Sequence, residues 1–296
     1  MPELPEIEGY VAGLDTHVAG QTLEATRLAS PFLLRTVEPP LDAAHGRSLV
    51  RGRRLGKRVV LELDRALFLV IHPMIAGRLR WKKKGAALPG KAGLLALDFE
   101  GGSLILTEQG SKKRASLHVV EGEDALAQHD PGGLEILDAS PEEFGERLVT
   151  SGHTVKRALS PPKLFSGVGH AWSDEILWSA RGSPIQRAAT LGEDGTSRVF
   201  EAARDVLREA RERHEAAARE SFPDRVTAFQ PEMAVHGRFG EPCRRCEAPI
   251  QRITRANGHD FHYCARCQTD GKVLADRSLS RLLKDDWPRR IEELMD

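Results

Sequence analysis

Met1-Pro2-Glu3-Leu4-Pro5-Glu6 opens the chain and places two prolines and two carboxylates within one helical turn. Removal of Met1 would leave Pro2 with a secondary amine whose pKa is about 7.7–8.0, so part of it is nucleophilic at neutral pH. Glu3 and Glu6 suit proton transfer. An amine beside such an acid–base pair can attack a sugar carbon and form a Schiff base. Alternatively, the prolines start a helix and the carboxylates favour its dipole.

The composition is that of a globular protein long enough for two domains and a small third. The chain has 296 residues, of which 40% are hydrophobic and 29% are charged. No apolar run reaches the length of a membrane span, and the N-terminal segment lacks the apolar core of a signal peptide. We therefore expect an intracellular, cytoplasmic protein with no membrane partner.

Basic residues are clustered although the formal net charge is zero, with 43 basic and 43 acidic residues. Residues 47–84 contain twelve Lys or Arg and two acids, Glu62 and Asp64. A second cluster, Lys112-Lys113-Arg114, follows. The neutral total argues against a nucleic-acid binder, but local basic stripes matter more for phosphate contacts.

Hydrophobic periodicity predicts a helix and then short strands in the first half of the chain. Residues 6–14 carry apolar side chains at i, i+3, i+4 and i+7, which is one buried helical face. Runs at 59–63, 67–71, 94–99 and 103–106 alternate with turn residues and indicate a β-sandwich or barrel. The segment Asp130-Pro131-Gly132-Gly133 is a plausible domain edge.

The second half of the sequence is predicted to be helical. We expect helices at residues 141–149, at 174–181 with Ser173 as the N-cap, and at 196–220. The turn Gly167-Val168-Gly169-His170 precedes a helix start, where glycines let backbone N–H groups approach a phosphate. A plain interhelical turn is the alternative.

All four cysteines lie in two CxxC pairs, Cys243/Cys246 and Cys264/Cys267, separated by 17 residues. This spacing predicts a zinc ribbon with one structural Zn²⁺ in tetrahedral thiolate coordination. An iron centre or disulfides are the alternatives. Neighbouring arginines suggest contact with a polyanion, or simply a solvated surface.

These four signals, in this order, resemble the formamidopyrimidine-DNA glycosylase / endonuclease VIII family over residues 1 to about 268. The resemblance implies an α+β multidomain fold. It has an N-terminal β-sandwich with an N-terminal helix, a helix-two-turn-helix domain and a C-terminal zinc ribbon. The expected boundaries are 1–130, 131–235, 236–270 and, for a C-terminal extension, 271–296. The extension has apolar residues at helical spacing, which predict a helix packed on the body: Leu279, Leu282, Leu283 and Trp287.

The resemblance implies a monomeric, nucleoid-associated DNA repair enzyme that removes damaged, oxidised bases from duplex DNA. In the family the N-terminal proline attacks C1′, and elimination then breaks the strand on both sides of the lesion. Pro2 matches the nucleophile, Glu3 the acid that protonates the opened sugar, and Glu6 a second carboxylate at the sugar site. Lys57 matches a lysine that binds a phosphate beside the lesion, although an ordinary strand-edge lysine is the alternative.

Further positions match the family's DNA contacts, some with changed residues. Lys156 and Gly169 align with its phosphate-binding segment, and Glu175 with its motif glutamate or, alternatively, a plain helix-start acid. His170 replaces an asparagine, and His259 an arginine of the finger. Ile75 occupies the position of a methionine that fills the emptied base site, with Met74 one residue away. Lys112, Lys113 and Arg114 stand where one branch has an Arg-Arg-Phe wedge.

Two other functions remain open at this point. A lesion- or structure-specific DNA-binding protein of the same fold, without turnover, would explain the altered phosphate contacts. An RNA-binding zinc-ribbon protein would leave the N-terminal hexapeptide unexplained. The enzyme is favoured because four residues match the family's catalytic set: Pro2, Glu3, Glu6 and Lys57.

Overall fold

A computed structural model describes residues 1–224, 226–227, 229–254, 260–276 and 279–295. The chain forms two compact units, residues 1–131 with 209–228, and residues 132–208 with 229–296. Within the described residues, no helix is long and apolar enough to cross a membrane.

The first unit is built on eight antiparallel strands in the order β5-β7-β6-β1-β2-β3-β4-β8. Arg47 and Ser48 of β2 pair with β1, whereas β2 pairs with β3 from Leu49 onward, with a register shift before Arg51. The strands therefore form two layers that share β2, as expected for the predicted β-sandwich. Their bounds are β1 Thr22–Leu28, β2 Arg47–Leu55, β3 Arg58–Leu63, β4 Leu67–His72, β5 Gly77–Lys82, β6 Gly93–Phe99, β7 Gly102–Glu108 and β8 Ser116–Glu121.

The core of this unit lies between the strands and helix α1 (Leu4–His17). Ile7, Tyr10 and Leu14 are fully buried, which confirms three positions of the predicted apolar face, whereas Val11 is only partly buried. The helix begins two residues earlier than predicted because Glu3 serves as its N-cap and forms a capping box with Glu6. A short helix, α2 (Glu123–Ala127), follows β8.

The second unit is mainly helical. Its elements are α3 (Pro141–Thr150), α4 (Val155–Leu159), α5 (His170–Ser179), the first part of α6 (Gly192–Glu220), β9 (Gln251–Ile253), β10 (Phe261–Tyr263), α7 (Ala265–Gln268) and α8 (Leu279–Leu283). The last turns of α6, from residue 209, belong to the first unit.

The predicted N-cap at Ser173 is wrong. Helix α5 begins at His170 with Gly169 as N-cap, and Ser173 lies inside it. The Ser173 hydroxyl donates to the Gly169 carbonyl one turn earlier. A serine followed by an aspartate is typical of a helix start, but here both residues serve buried contacts.

The C-terminal extension packs differently from the prediction. Leu282 is 76% exposed and Leu283 is 41% exposed, so α8 does not bury the expected face. Ile291 is instead fully buried in the same core cluster as the four-cysteine region, and Trp287 packs against that cluster. The extension therefore shares a hydrophobic core with the cysteine-bearing segment.

Candidate active site and metal centre

The N-terminal residues form a compact polar cluster beneath the start of α1. Glu3 and Glu6 are 4% and 1% exposed, although both are carboxylates. Glu6 Oε2 accepts a hydrogen bond from the Glu3 backbone N–H at 2.8 Å. The helix-start interpretation of these residues is therefore correct, and it places two buried carboxylates beside buried Pro2.

The α-amino group, which Met1 carries in the structure, sits among four charged side chains. Burial lowers the pKa of this amine, the charges of Arg78 and Lys57 lower it further, and those of Glu3 and Glu6 oppose the change. A lowered pKa increases the unprotonated, nucleophilic fraction near neutral pH.

Lys57 lies in the tight turn between β2 and β3, after Gly56 at a φ of 61°. Its side chain is 6% exposed. Burial lowers the pKa of the Lys57 ammonium, while the charges of Glu3 and Glu6 oppose part of that shift. The lysine is thus buried, with both carboxylates near enough to influence its pKa, and is not an ordinary strand-edge lysine.

A constrained turn between β4 and β5 presents Ile75, whose side chain is 52% exposed. Met74 has a φ of 55°, and its backbone N–H donates to His72 Nδ1 at 3.0 Å. Gly77 is required here because a Cβ atom would lie 2.1 Å from the Pro73 carbonyl oxygen. Arg78 closes the turn by donating to the Ile75 carbonyl at 3.1 Å. Ile75 is therefore the residue that this turn presents, with strained Met74 beside it.

The basic cluster Lys112-Lys113-Arg114 lies in the loop between β7 and β8. Buried Glu108 organises the loop by accepting the backbone N–H groups of Arg114 and Ala115, at 2.8 and 3.1 Å. Lys112 and Arg114 have exposed side chains, whereas Lys113 donates to the Glu108 carbonyl.

In the second unit, the turn at Gly167–Gly169 leads directly into α5. Gly167 has a φ of 75°, which favours glycine. A cavity of about 290 Å³ opens beside the turn, lined by the basic residues His153, Lys156, Arg157 and His170 together with Ser160, Pro161 and Phe261. The exposed cation Arg157 and the helix start make this cavity suitable for an anion.

Lys156 is fully buried, and its ammonium is surrounded by acceptors. It lies 2.6 Å from Asp174 Oδ1 and donates to the His170 carbonyl at 2.5 Å and to Ser173 Oγ at 2.8 Å. These contacts anchor the first turn of α5 to α4. Its expected contact with DNA phosphate stays a prediction.

Asp174 is the centre of a network that the sequence did not indicate. Its Oδ2 lies 2.8 Å from His236 Nδ1 and 3.6 Å from His262 Nδ1. Burial would raise the pKa of Asp174, but Lys156, His236 and His262 hold it well below its usual range. These three ligand-type side chains could hold a metal ion, but the adjacent Lys156 charge opposes a second cation, so we assign them a structural role.

Glu175, next to Asp174, fixes a distant chain segment. Its carboxylate accepts the backbone N–H groups of Ala234, Val235 and His236 at 2.7–2.9 Å. Burial raises the pKa of Glu175, and these three donors oppose part of the shift. The residue is therefore more than a helix-start acid, since it positions the segment that leads into the cysteine-bearing region.

The four cysteine sulfurs lie within 4.8 Å of one another, with Cys243–Cys267 at 4.0 Å and Cys246–Cys264 at 3.4 Å. A tetrahedral Zn²⁺ with bonds of about 2.3 Å places its sulfurs about 3.8 Å apart, so the residues fit this ion. The thiols are unpaired, and a disulfide requires about 2.05 Å.

Burial raises the pKa of Cys264. For Cys243 burial also acts upward, but N–H donors from Arg245 and Trp178 lower the pKa to about 7.

Comparison with known proteins identifies the family. The model described as formamidopyrimidine-DNA glycosylase N-terminal domain matches residues 1–114, and that of the H2TH domain of the same glycosylase matches residues 134–221. The chain belongs to the formamidopyrimidine-DNA glycosylase family. The resemblance inferred from the sequence is thereby confirmed, together with the fold class.

Individual members of this glycosylase family match along most of the chain. The formamidopyrimidine-DNA glycosylase of Heliobacterium modesticaldum is 33% identical, covering 90% of this chain and 100% of the relative. The crystal structure of the Thermus thermophilus protein is 31% identical, with a TM-score of 0.76, over 90% of this chain and 98% of that chain. The Lactococcus lactis enzyme, solved bound non-covalently to DNA containing an AP site, is 25% identical with a TM-score of 0.78, over 90% and 99% of the two chains.

The structure thus gathers Pro2, Glu3, Glu6 and Lys57 in the first unit, and Lys156, Gly169 and His170 in the second. Ile75 and the 112–114 cluster also belong to the first unit. His259 lies outside the described residues. Sequence reasoning missed Asp174, His236 and His262, whose only local signal was an aspartate directly before Glu175.

Proposed function

We propose that this protein is a DNA glycosylase with AP-lyase activity that removes oxidised bases from duplex DNA. Pro2, freed by removal of Met1, is the nucleophile, and the enzyme acts as a monomer. The observation that carries the proposal is the buried cluster itself: Pro2 is buried beside the buried carboxylates of Glu3 and Glu6, and both carboxylates act on the charge of buried Lys57. Such groups are assembled for chemistry rather than for stability, because burying several charges together is costly.

The cluster supports the following reaction at a flipped nucleotide. The lone pair of the Pro2 amine attacks C1′, and the bond from C1′ to the base breaks with its electrons leaving on the base, which takes up a proton. The attached Pro2 nitrogen gives up its N–H proton to a neighbouring carboxylate. Its lone pair then breaks the bond from C1′ to the ring oxygen, to which Glu3 gives a proton, leaving an iminium between Pro2 nitrogen and C1′. Loss of the C2′ proton to a carboxylate then drives β-elimination of the 3′ phosphate, and δ-elimination releases the 5′ phosphate.

The remaining basic groups are proposed to hold the DNA backbone. Lys57 would neutralise a phosphate beside the lesion, and the cavity lined by Lys156 and His170 would accept another. Gly169 lets a phosphate approach the backbone, and His259 would supply a further contact. Ile75 would fill the space of the displaced base, and Lys112, Lys113 and Arg114 would lie along the backbone. The four domains expected from the sequence remain part of the proposal.

We further propose that Cys243, Cys246, Cys264 and Cys267 bind one structural Zn²⁺. Four thiolates close the coordination sphere, so the ion supplies folding energy and leaves no open position for a substrate. Its contribution to the reaction is indirect, through the shape of the ribbon.

Borohydride trapping on abasic duplex DNA tests the proposed chemistry. Processed protein beginning at Pro2 should give a stable covalent adduct, because reduction converts the iminium into an amine that does not hydrolyse. A matched protein that retains Met1 carries a tertiary amide at Pro2 and should give no adduct through Pro2, and mapping the modified peptide separates a Pro2 adduct from one on the Met1 amine. Equal trapping by both forms would exclude Pro2 as the nucleophile.

The same experiment separates the enzyme from a DNA-binding protein without turnover. A processed protein that binds lesion-bearing duplex but yields neither adduct nor cleaved strand would support the binding protein instead. Measuring affinity on the same duplex, at fixed salt, supplies that comparison because salt alone shifts phosphate binding strongly.

A further inference from the structure

We propose that Trp178 is a positioning residue for the metal centre, holding the Cys243 thiolate through its indole N–H and joining the ribbon to helix α5. The inference rests on the proposed zinc site. It goes beyond that site because Trp178 is not a ligand and lies about 65 positions before the cysteine that it contacts.

The contact is a directed hydrogen bond. Trp178 Nε1 donates to Cys243 Sγ at 3.4 Å from the last turn of α5. The ring packs against the hydrophobic core that contains Cys243 and Cys264. By contrast, the backbone N–H of Cys267, which donates to Cys264 Sγ at 3.4 Å, comes from within the ribbon.

Arg245 holds the other side of the indole. Its guanidinium carbon lies 4.0 Å from the centre of the Trp178 ring, and its Nη1 donates to the Trp178 carbonyl at 3.0 Å. Arg245 itself lies between Cys243 and Cys246. The segment from Cys243 to Cys246 thus contacts the indole at two places: Cys243 Sγ accepts its N–H, and the Arg245 guanidinium lies over its ring. A cation over the ring also polarises the N–H and makes it a better donor.

The physical role follows from charge. Four thiolates around one Zn²⁺ leave a net charge of about −2, which N–H donors to sulfur and nearby cations stabilise. Removing a partner that orients a metal ligand typically costs about 10–100-fold in metal affinity. Trp178 therefore makes α5, whose first residue is His170, a support of the metal centre. Gln268 adds a second link, donating to the Gly182 carbonyl at 2.9 Å.

The test compares Trp178→Phe with Trp287→Phe. Both tryptophans pack against the same core, but the indole nitrogen of Trp287 is buried and has no hydrogen-bond partner among the described residues. Zinc release to an excess of a chromogenic chelator should be about 10-fold or more faster in Trp178→Phe than in wild type. Trp287→Phe reduces packing in the same core but removes no bond to sulfur, so its effect on zinc release should be clearly smaller, with circular dichroism confirming that both variants are folded.

Cobalt substitution distinguishes the hydrogen bond from ring packing. A donor to sulfur stabilises its lone pair, so its loss should move the thiolate-to-Co²⁺ charge-transfer band to lower energy in Trp178→Phe and leave it unchanged in Trp287→Phe. Equal release rates, or faster release with an unshifted band, would overturn the proposal. Wild-type protein that binds neither Zn²⁺ nor Co²⁺ would instead refute the zinc site itself.

Discussion

At the scale of single residues, the candidate active site consists of one amine surrounded by two carboxylates and two basic side chains. Glu3 and Glu6 are held in place by backbone contacts at the start of α1, so their positions follow from helix capping. Lys57 and Arg78 add positive charge from the first unit, and both lower the pKa of the α-amino group that Met1 carries in the structure. We expect the same two cations to act on the Pro2 amine once Met1 is removed.

Lys57→Met tests this tuning through pH dependence. Removing a nearby cation makes protonation of the amine easier, so the amine pKa should rise. The midpoint of the trapping rate against pH should therefore move upward. Borohydride trapping at saturating abasic DNA, from mildly acidic to alkaline pH, measures the midpoint.

Lys112→Met is the matched control for that experiment. Its side chain is exposed and lies in the β7–β8 loop, so its loss should weaken DNA binding without moving the midpoint. An unchanged midpoint in Lys57→Met would show that Lys57 has no electrostatic influence on the nucleophile.

At the scale of elements, the buried pair Lys156–Asp174 decides how α4, α5 and β10 fit together. Each side chain is at most 1% exposed, and the two charged groups lie 2.6 Å apart. Such a pair is a weak source of net stability but is costly to break from one side, since a buried charge is then left without its counter-charge.

Asp174→Asn should destabilise the protein by about 3–5 kcal/mol because it leaves the Lys156 charge uncompensated. The double variant Lys156→Met, Asp174→Asn should recover much of that loss, since neither side chain of the pair then carries a charge. Urea unfolding of both single variants and the double variant gives the coupling free energy. Strictly additive losses would show that the ion pair contributes no interaction of its own.

The sequence predicted the elements much better than their buried contacts. Two local patterns were each sufficient to predict a structural feature. The apolar spacing of Ile7, Tyr10 and Leu14 predicted helix α1, and the spacing of the cysteines predicted their cluster. Asp174 could not be interpreted in this way, because its partner His236 lies 62 positions away and nothing local indicates it. For the same reason the sequence predicts a cap at Ser173: its neighbours in sequence resemble a helix start, whereas its hydroxyl accepts a hydrogen bond from Lys156.

At the scale of the whole molecule, the second unit contains a hydrophobic core that joins the cysteine-bearing segment to the C-terminal extension. The core includes Val235, Ile250, Tyr263 and Ile291. A metal that organises the cysteines should therefore stabilise the extension too, although the extension has no metal ligand among its described residues.

Stripping the metal should produce local unfolding that includes both segments. Hydrogen exchange followed by mass spectrometry should show faster exchange in peptides covering 243–253 and 287–294, while peptides of the β-sandwich stay protected. Restoring zinc should reverse the change in both segments. Increased exchange in the cysteine segment alone would show that the extension is stabilised independently of the metal.

The first unit is discontinuous, which matters for any shortened version of the chain. Phe222 and Val226 belong to its hydrophobic core, and Tyr10 lies 6.1 Å from Phe222, ring centre to ring centre. A fragment ending at Pro131 would retain every strand of the sandwich and still expose apolar surface on α1. A nonsense mutation between codons 132 and 222 would consequently damage the N-terminal unit as well as the segment it deletes, and its product should aggregate rather than persist as a partial enzyme.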